Sequence, residues 1–409
     1  MDNSRTSTLI CSSMAESTRN IVILGASFSG LSAAHYLARH ALPKLQEAKD
    51  AKYVVHVIDP STHFWWHIAA PRAIVSVKEM PHKSCFLPIK PMFDQYGSVK
   101  DLFVFHQASA SDLDVEGRKV TITTAEGNRE SLDYYALIIA TGIRSQTACT
   151  TLQGEHTISE KALEEMNTKL ASAKDIVVGG GGPVGVETAG ELGSHYGSKA
   201  KITLIAGADK LLPILSQKRS DKAAKLLTNL GVAVKYKVKV QSTTPTDDGK
   251  TLIQLDNGDS LTADVYIPAV GMQPNSEWLP SSLKDAKGFV KTNNGTLRVD
   301  TAGERVYAVG DIAAVDKGGV LNLYQSLPVA GANITHDLFK AAGIAGAPAE
   351  RKYVFKGAET QIVPVGPKGG VGAFNGFGMP GFMIAQVKGK DYLLKQMGAI
   401  TEGKQYKKA

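Results

Sequence analysis

Two stretches of this chain share one hydrophobic rhythm. Residues 21–24 (IVIL) are continuously apolar, the pattern of a short strand covered on both faces, as in a parallel sheet flanked by helices. A glycine turn follows, then a helical stretch from about Gly30 to His40, a polar connection, and the strand YVVHVID, which ends at Asp59. That is a βαβ unit. Residues 176–179, 183–196 and 201–207 repeat strand, helix and strand, with Gly180 placed 155 positions after Gly25.

The pattern between and after these units is also paired. Residues 102–123 predict two short strands joined by a turn at Glu116–Gly117, and 134–142 a buried strand ending in a glycine turn. A helix is expected over 217–230 and several short strands over 232–267, after which VYIPAVG (265–271) repeats the strand-then-glycine ending. VYAVGDIAAV (306–315) is a further strand with Gly310–Asp311 at its tip, followed by a helix near 328–340. The last 60 residues, rich in Gly, Phe and Lys, predict strands and loops of a small third domain. One plan is therefore carried out twice, with the first sheet completed by a strand returning from the C-terminal side.

Composition narrows the class. At 409 residues, with 43% hydrophobic and 21% charged residues, the chain has the size for two or three domains and an ordinary water-facing composition. No apolar run approaches the roughly 20 residues needed to span a bilayer. Its net charge of +7 is dispersed among acids, which argues against a nucleic-acid partner. The three cysteines, Cys11, Cys85 and Cys149, form no CxxC or CxxxxC pair, which excludes a short-motif dithiol centre and suits a reducing compartment. Residues 1–19 are Ser/Thr-rich and aperiodic, and are expected to form a disordered tail; Asp2 and Glu16 argue against a mitochondrial presequence, so a cytoplasmic location is expected.

The glycine turns carry the chemistry. In Gly25-Ala26-Ser27-Phe28-Ser29-Gly30, the first glycine permits a tight turn and the last permits close packing of helix on strand. Ser27 stands where a middle glycine usually lets amides reach a pyrophosphate at the helix N-terminus; it is small, and its hydroxyl can donate. Asp59, at the end of the next strand, can accept ribose hydroxyls, or it is a solvated strand-end acid. The second loop, Gly180-x-Gly182-Pro183-Val184-Gly185, is a full match. Glu187 is expected in the first helical turn, where it either favours the helix dipole or faces the nicotinamide end of a bound dinucleotide. Ala206 closes the following strand where an NAD-specific site often places an acid; with Lys210 nearby, NADPH is expected to be accepted at least as well as NADH, although Asp209 is adjacent. Asp311, after Gly310, can accept from a ribityl hydroxyl, act as a helix N-cap, or do both. His63 and His67 stand i, i+4, but no third ligand is evident and their aromatic neighbours point to packing, so no metal is expected.

Two dinucleotide folds in one chain are explained if one holds FAD and the other receives NADH or NADPH, with hydride passing between them. GASFSG, DPSTHFWWHIAAPRAIV, LIIATG, VVGGGGPVGVETAGEL, VYAVGDIA and VGPKGGVGAFNGF, in this order, resemble the two-dinucleotide flavoproteins of the glutathione-reductase-like superfamily. Within it the chain is similar to the apoptosis-inducing-factor-like group that contains AMID, the ferroptosis suppressor protein, and its fungal members, and more distantly to type II NADH:quinone dehydrogenases. The resemblance spans about residues 20–395.

It implies an α/β chain with two Rossmann-like domains and a small C-terminal α+β domain. FAD would be bound by 20–155 with 288–345, NAD(P)H by 156–287, and the third domain would be 346–409. Gly25, Ala26, Ser27, Phe28, Ser29, Arg72, Ala108 and Asp311 would contact FAD, with Thr141 and Gly142 beside it. Gly180, Gly182, Gly185 and Glu187 would line the nicotinamide site, with Gly271 close by. Lys388 is expected to stabilise anionic reduced flavin or acceptor. Trp65 and Trp66 replace smaller polar residues beside the flavin, so a reshaped acceptor pocket is expected. The group's myristoylated glycine is missing, since position 2 is Asp2; peripheral membrane contact would run through Phe377, Met379, Phe382 and nearby lysines.

The expected activity is NAD(P)H oxidation with electrons passed to a quinone-like or other small aromatic acceptor. The alternatives are a flavoenzyme acting on a specialised metabolite, and a non-catalytic redox sensor or death effector. Oligomeric state is left open by the sequence.

Overall fold

The computed structural model describes residues 17–48, 51–316, 318–355 and 357–407. Strand β1 (Ser17–Leu24) runs parallel to β2 (Ala51–Asp59), in register from Ser17 opposite Ala51 to Leu24 opposite Ile58. It begins before the apolar run because Arg19 is a strand residue here: its Nη1 donates to Tyr53 Oη at 2.6 Å and its guanidinium lies over the Tyr135 ring. Residues 17–19 of the expected tail are thus in the sheet, and 1–16 lie outside the described residues.

Helix α1 (Phe28–His40) connects β1 to β2, starting two residues earlier than the pattern predicts. Strands β3 (Phe103–Asp114), β4 (Lys119–Thr124) and β5 (Arg129–Asp133) follow, then β6 (Ala136–Ile139). After α2 (His156–Ser172) comes the second unit: β7 (Asp175–Gly179), α3 (Pro183–Tyr196), β8 (Lys201–Ala206), β9 (Val232–Tyr236) and β10 (Val265–Pro268). Strand β11 (Val306–Ala308) and helix α4 (Val320–Ala341) return to the first sheet.

The larger sheet has the order β11-β6-β1-β2-β3-β4-β5, parallel from β11 to β3 and antiparallel beyond. The smaller has the order β9-β8-β7-β10 and is wholly parallel. In each sheet the first strand of the βαβ unit lies centrally, so the chain leaves it in opposite directions, and the C-terminal strand ends around it form a crevice. Ile21, Val22, Ile23 and Leu24 are at most 1% exposed, which accounts for the unbroken apolar run. A three-stranded sheet of Gln361–Pro364, Gly370–Phe374 and Phe377–Gly378, with the short helix Gly381–Ile384, packs near α3: a Cβ on Gly190 would lie 2.7 Å from Gly366 N. Among the described residues no helix is long and apolar enough to cross a membrane.

Candidate active site

The two glycine loops share their first backbone bond and their packing contacts. Gly25 N donates to Ile58 O at 2.7 Å, and Gly180 N to Ile205 O at 2.8 Å. Both glycines have positive φ, +100° and +134°, and a Cβ there would press on a strand-end carbonyl, Ala140 O at 2.4 Å or Ala269 O at 2.5 Å. A Cβ on Gly30 would lie 1.7 Å from Gly25 O, and one on Gly185 1.8 Å from Gly180 O. These four glycines bring helix onto strand. Gly182 differs, for a Cβ there would meet nothing within 4 Å. It is the residue that opens α3, and its smallness leaves free space rather than relieving a clash. Neither α1 nor α3 has a side-chain cap, and Pro183 at the start of α3 brings no amide, so the helix N-termini are left open to an outside acceptor. This is a cradle for a phosphate anion, twice over, and the residues fit FAD in the first loop and a nicotinamide dinucleotide in the second.

Around the first loop, Asp59 is 8% exposed and accepts from Ala26 N at 2.6 Å (Oδ2) and Ser61 N at 2.8 Å (Oδ1). Burial lifts its carboxyl to about 6, against the pull of those two amides and with a further push from Glu155. It is a buried, amide-held acid and not a solvated strand end. Gly310, with φ of +74°, sits directly on the loop: a Cβ there would lie 1.8 Å from Ser29 Oγ. Asp311 lies within the 3₁₀ turn Gly310–Ile312, not at an N-cap, and its Oδ1 accepts from Gly319 N at 2.9 Å. Thr141 and Gly142 are stitched to Asn275, whose Nδ2 donates to Thr141 O at 2.9 Å and whose N donates to Gly142 O at 3.0 Å. Ala108 is buried on β3 in the apolar cluster that holds Ile58 and Ile139. Phe28 packs against His67, with ring centroids 4.8 Å apart.

Beside the second loop lies a buried charge network. Glu187 is on the second turn of α3 and not the first, where no acid lies, which removes the helix-dipole alternative. Its Oε1 accepts from Lys388 Nζ at 2.5 Å, and Lys388 also donates to Ile362 O at 3.3 Å. Burial raises the Glu187 carboxyl to about 7, with Lys388 pulling the other way and Glu191 adding to the rise. Arg72 lies one layer further on. Nε and Nη2 grip Glu191 at 2.9 Å each, Nη2 also reaches Gly389 O at 2.7 Å, and Nη1 reaches Lys390 O at 2.9 Å. Tyr392 donates to Glu191 Oε1 at 3.0 Å, with the Arg72 guanidinium 4.9 Å over its ring. Most of the Arg72 donors are thus spent on protein acceptors; its position joins α3 to the C-terminal segment.

The tryptophan pair departs from expectation in the same way. Trp65 and Trp66 are each 1% exposed; Trp65 stacks on Phe86, and Trp66 Nε1 donates to Tyr392 O at 2.9 Å. Both are core residues, and Trp66 helps hold the Lys388-bearing segment. His63 and His67 part company: His63 meets Glu155 and His156, while His67 faces Phe28 and Asp311. Gly271, with φ of +75°, lies against Gln146. Glu191 and Tyr392 were not singled out from the sequence. Glu191 stands four residues after Glu187, on the same face of α3, which is the one local signal.

The pyridine nucleotide-disulphide oxidoreductase family matches residues 19–333, across both sheets and both loops. The chain belongs to that family. It is therefore an oxidoreductase of the FAD and NAD(P)H type, although its described cysteines, Cys85 and Cys149, are free and buried, and Cys11 lies outside the described residues. It is 37% identical to oxidoreductase phnG of Penicillium herquei, over 96% of this chain and 98% of that protein. Ferroptosis suppressor protein 1 of Xenopus tropicalis is 28% identical, over 94% and 97%. In fold the chain is similar to NDH2 of Plasmodium falciparum in complex with NADH, with a TM-score of 0.65 and 16% identity over 95% of this chain and 96% of that one.

Proposed function

We propose that this chain is an NAD(P)H oxidoreductase that passes electrons to a quinone-like or other small aromatic acceptor. The observation that carries the reading is the pair of matching cradles with the buried Glu187–Lys388 pair beside the second. Bound flavin would supply the redox chemistry, taking a hydride and releasing electrons singly or together. On the flavin side, Gly25 to Gly30 with Gly310 and Asp311 form the holding surface, Asp59 fixes the loop amide of Ala26, and Thr141–Gly142 borders it. On the donor side, Gly180, Gly182, Pro183, Val184 and Gly185 receive the dinucleotide, with Gly271 at the edge. Lys388 places a hydrogen-bond donor in a water-poor site where negative charge develops, and Glu187 holds that side chain in place. Ala206 offers no carboxylate to repel a 2′-phosphate, so both donors are accepted.

Anaerobic mixing of the purified yellow protein with NADH or NADPH tests this. Loss of the visible flavin band, restored quickly by a quinone and slowly by air, is the expected result. A colourless protein, or a flavin band that neither donor bleaches, refutes it. We also assign any lipid contact to Phe377 and Phe382, which are 81% and 65% exposed. If that is right, Phe377→Glu/Phe382→Glu abolishes co-sedimentation with anionic vesicles.

A further inference from the structure

The backbone bond shared by the two glycine loops aligns the strand ends they touch. Gly25 N donates to Ile58 O and Gly180 N to Ile205 O, so Asp59 at the end of β2 has Ala206, at the end of β8, as its counterpart. In the first unit this position holds a carboxylate bonded to the loop amide of Ala26. In the second it holds a methyl group, and a Cβ on Gly181, the counterpart of Ala26, would lie 2.9 Å from it. A strand-end acid accepts from a ribose 2′-hydroxyl, whereas a 2′-phosphate requires that the acid be absent and a cation be near. Ala206 meets the first requirement.

The cation closest in sequence does not meet the second. Lys210 is turned onto the segment that follows, its Nζ held on Leu215 O at 2.7 Å. A better placed lysine arrives from β9. Beyond Tyr236, which pairs with Ala206, the chain runs alongside the residues after β8: Lys237 N donates to Ala208 O at 3.1 Å and Val238 N to Ala206 O at 3.3 Å. Asp256 then pins the Lys239 backbone on both sides, accepting from its N at Oδ1 (2.9 Å) and donating from its own N to Lys239 O (3.0 Å). The Lys239 stem lies flat on Gly207. A Cβ at 207 would stand 2.7 Å from Lys239 Cγ, 3.4 Å from Cδ and 3.1 Å from Cε, so the stem has this course because that position carries no side chain. The residue is exposed, and among the described residues its ammonium forms no ion pair, with Asp209 and Asp256 included. A packed stem with a free head has given up much of its rotamer freedom on folding, so less is lost when the head holds an anion.

We propose that Lys239 selects NADPH over NADH, its ammonium meeting the 2′-phosphate of the donor's adenosine ribose beside Ala206. The inference rests on the donor-side reading of the Gly180–Gly185 loop, and it names the member of the donor class that this chain prefers. An exposed ammonium is screened by solvent and salt, so the preference is about fivefold to tenfold in affinity and shrinks as ionic strength rises.

Two measurements on flavin-loaded protein test it. One is the concentration of NADPH or NADH that half-bleaches the flavin without air. The other is the calorimetric affinity for 2′-phospho-ADP-ribose against ADP-ribose, which involves no electron transfer. Wild type should favour the phosphorylated ligand in both. Lys239→Gln should bring both ratios near unity by weakening the phosphorylated ligand alone, and Lys239→Arg should keep the preference. Lys201→Gln removes the same charge from the opposite end of β8 and should change neither ratio. Ratios that survive Lys239→Gln, or that Lys201→Gln lowers equally, overturn the proposal, while bleaching by NADH leaves the donor-side reading standing. A flavin that neither donor bleaches takes down both.

Discussion

At the scale of single residues, glycines of one motif do two different jobs. Gly30 is required by packing, since its Cβ would lie 1.7 Å from a backbone oxygen. Gly30→Ala is expected to destabilise by about 1–3 kcal/mol or more, seen as a lower denaturation midpoint. Gly182 has open space, so Gly182→Val should keep the wild-type midpoint and flavin colour while weakening NAD(P)H by about tenfold to a hundredfold, 1.4–2.7 kcal/mol, read from the donor concentration needed to bleach. Equal bleaching in both proteins would place the dinucleotide elsewhere. Arg72 poses the opposite case, a buried cation. Arg72→Met strands Glu191 without its partner and should cost about 3–5 kcal/mol, while Arg72→Met/Glu191→Gln should recover a good part of that in urea titrations. A double variant no better than the single would mean that the pair does not carry the effect. The glycine roles were legible because a loop and its flanks are contiguous in the chain. Arg72–Glu191 was not, because the partners are 119 residues apart and a buried ion pair leaves no local pattern.

At the scale of elements, the apolar runs located the other strands of both sheets but not β5, whose polar and mostly exposed RESLD carries no apolar run. Helix α2 over His156–Ser172 was not expected at all. Phe28 and Ser29 already belong to α1, because the loop tightens around Gly25 before the helix axis is set. Helix α4 was expected near 328–340 and is found from Val320 to Ala341. Pro328 reads as a helix start in a sequence, yet here it lies inside the helix, with its carbonyl taken by Arg351 Nη1 at 3.4 Å. A proline in that position removes the amide that would bond Tyr324 O. Pro328→Ala should therefore raise stability by about 1 kcal/mol or more, measured as a higher Tm. A lower Tm would show that the ring packing outweighs the missing bond. The histidine–glutamate cluster at the start of α2 escaped notice for a different reason. Glu155 and His156 are adjacent, but His63 joins them only through the fold, and the i, i+4 partner suggested by the sequence was His67.

At the scale of the whole molecule, Lys388 and Tyr392 bring the C-terminal segment onto α3, and this contact titrates. The folded protein retains the Glu187 proton up to about pH 7, whereas the unfolded chain releases it near 4.5, so the folded state binds more protons between these values. Stability from this group is therefore lost as pH rises through that window. Glu187→Gln should show a smaller fall in Tm than wild type between pH 4.5 and 7, and a steeper fall would contradict the assignment. The repeated plan and the family were legible in the order of the motifs. The wiring of the third region onto the other two was not, because it rests on the carbonyls of residues 389 and 390, which accept from Arg72, and on one tyrosine bonded to Glu191.

One topological detail bears on how the protein is made. Strand β6 pairs on one side with β1 and on the other with residues 306–308, which emerge from the ribosome long after it. Until then a nascent chain presents Ala136–Ile139 as a bare edge, while the four strands of the smaller sheet, encoded between residues 175 and 268, are all at hand. The unit encoded second can thus close first, and the interval before residue 308 appears is when a chaperone has most to shield.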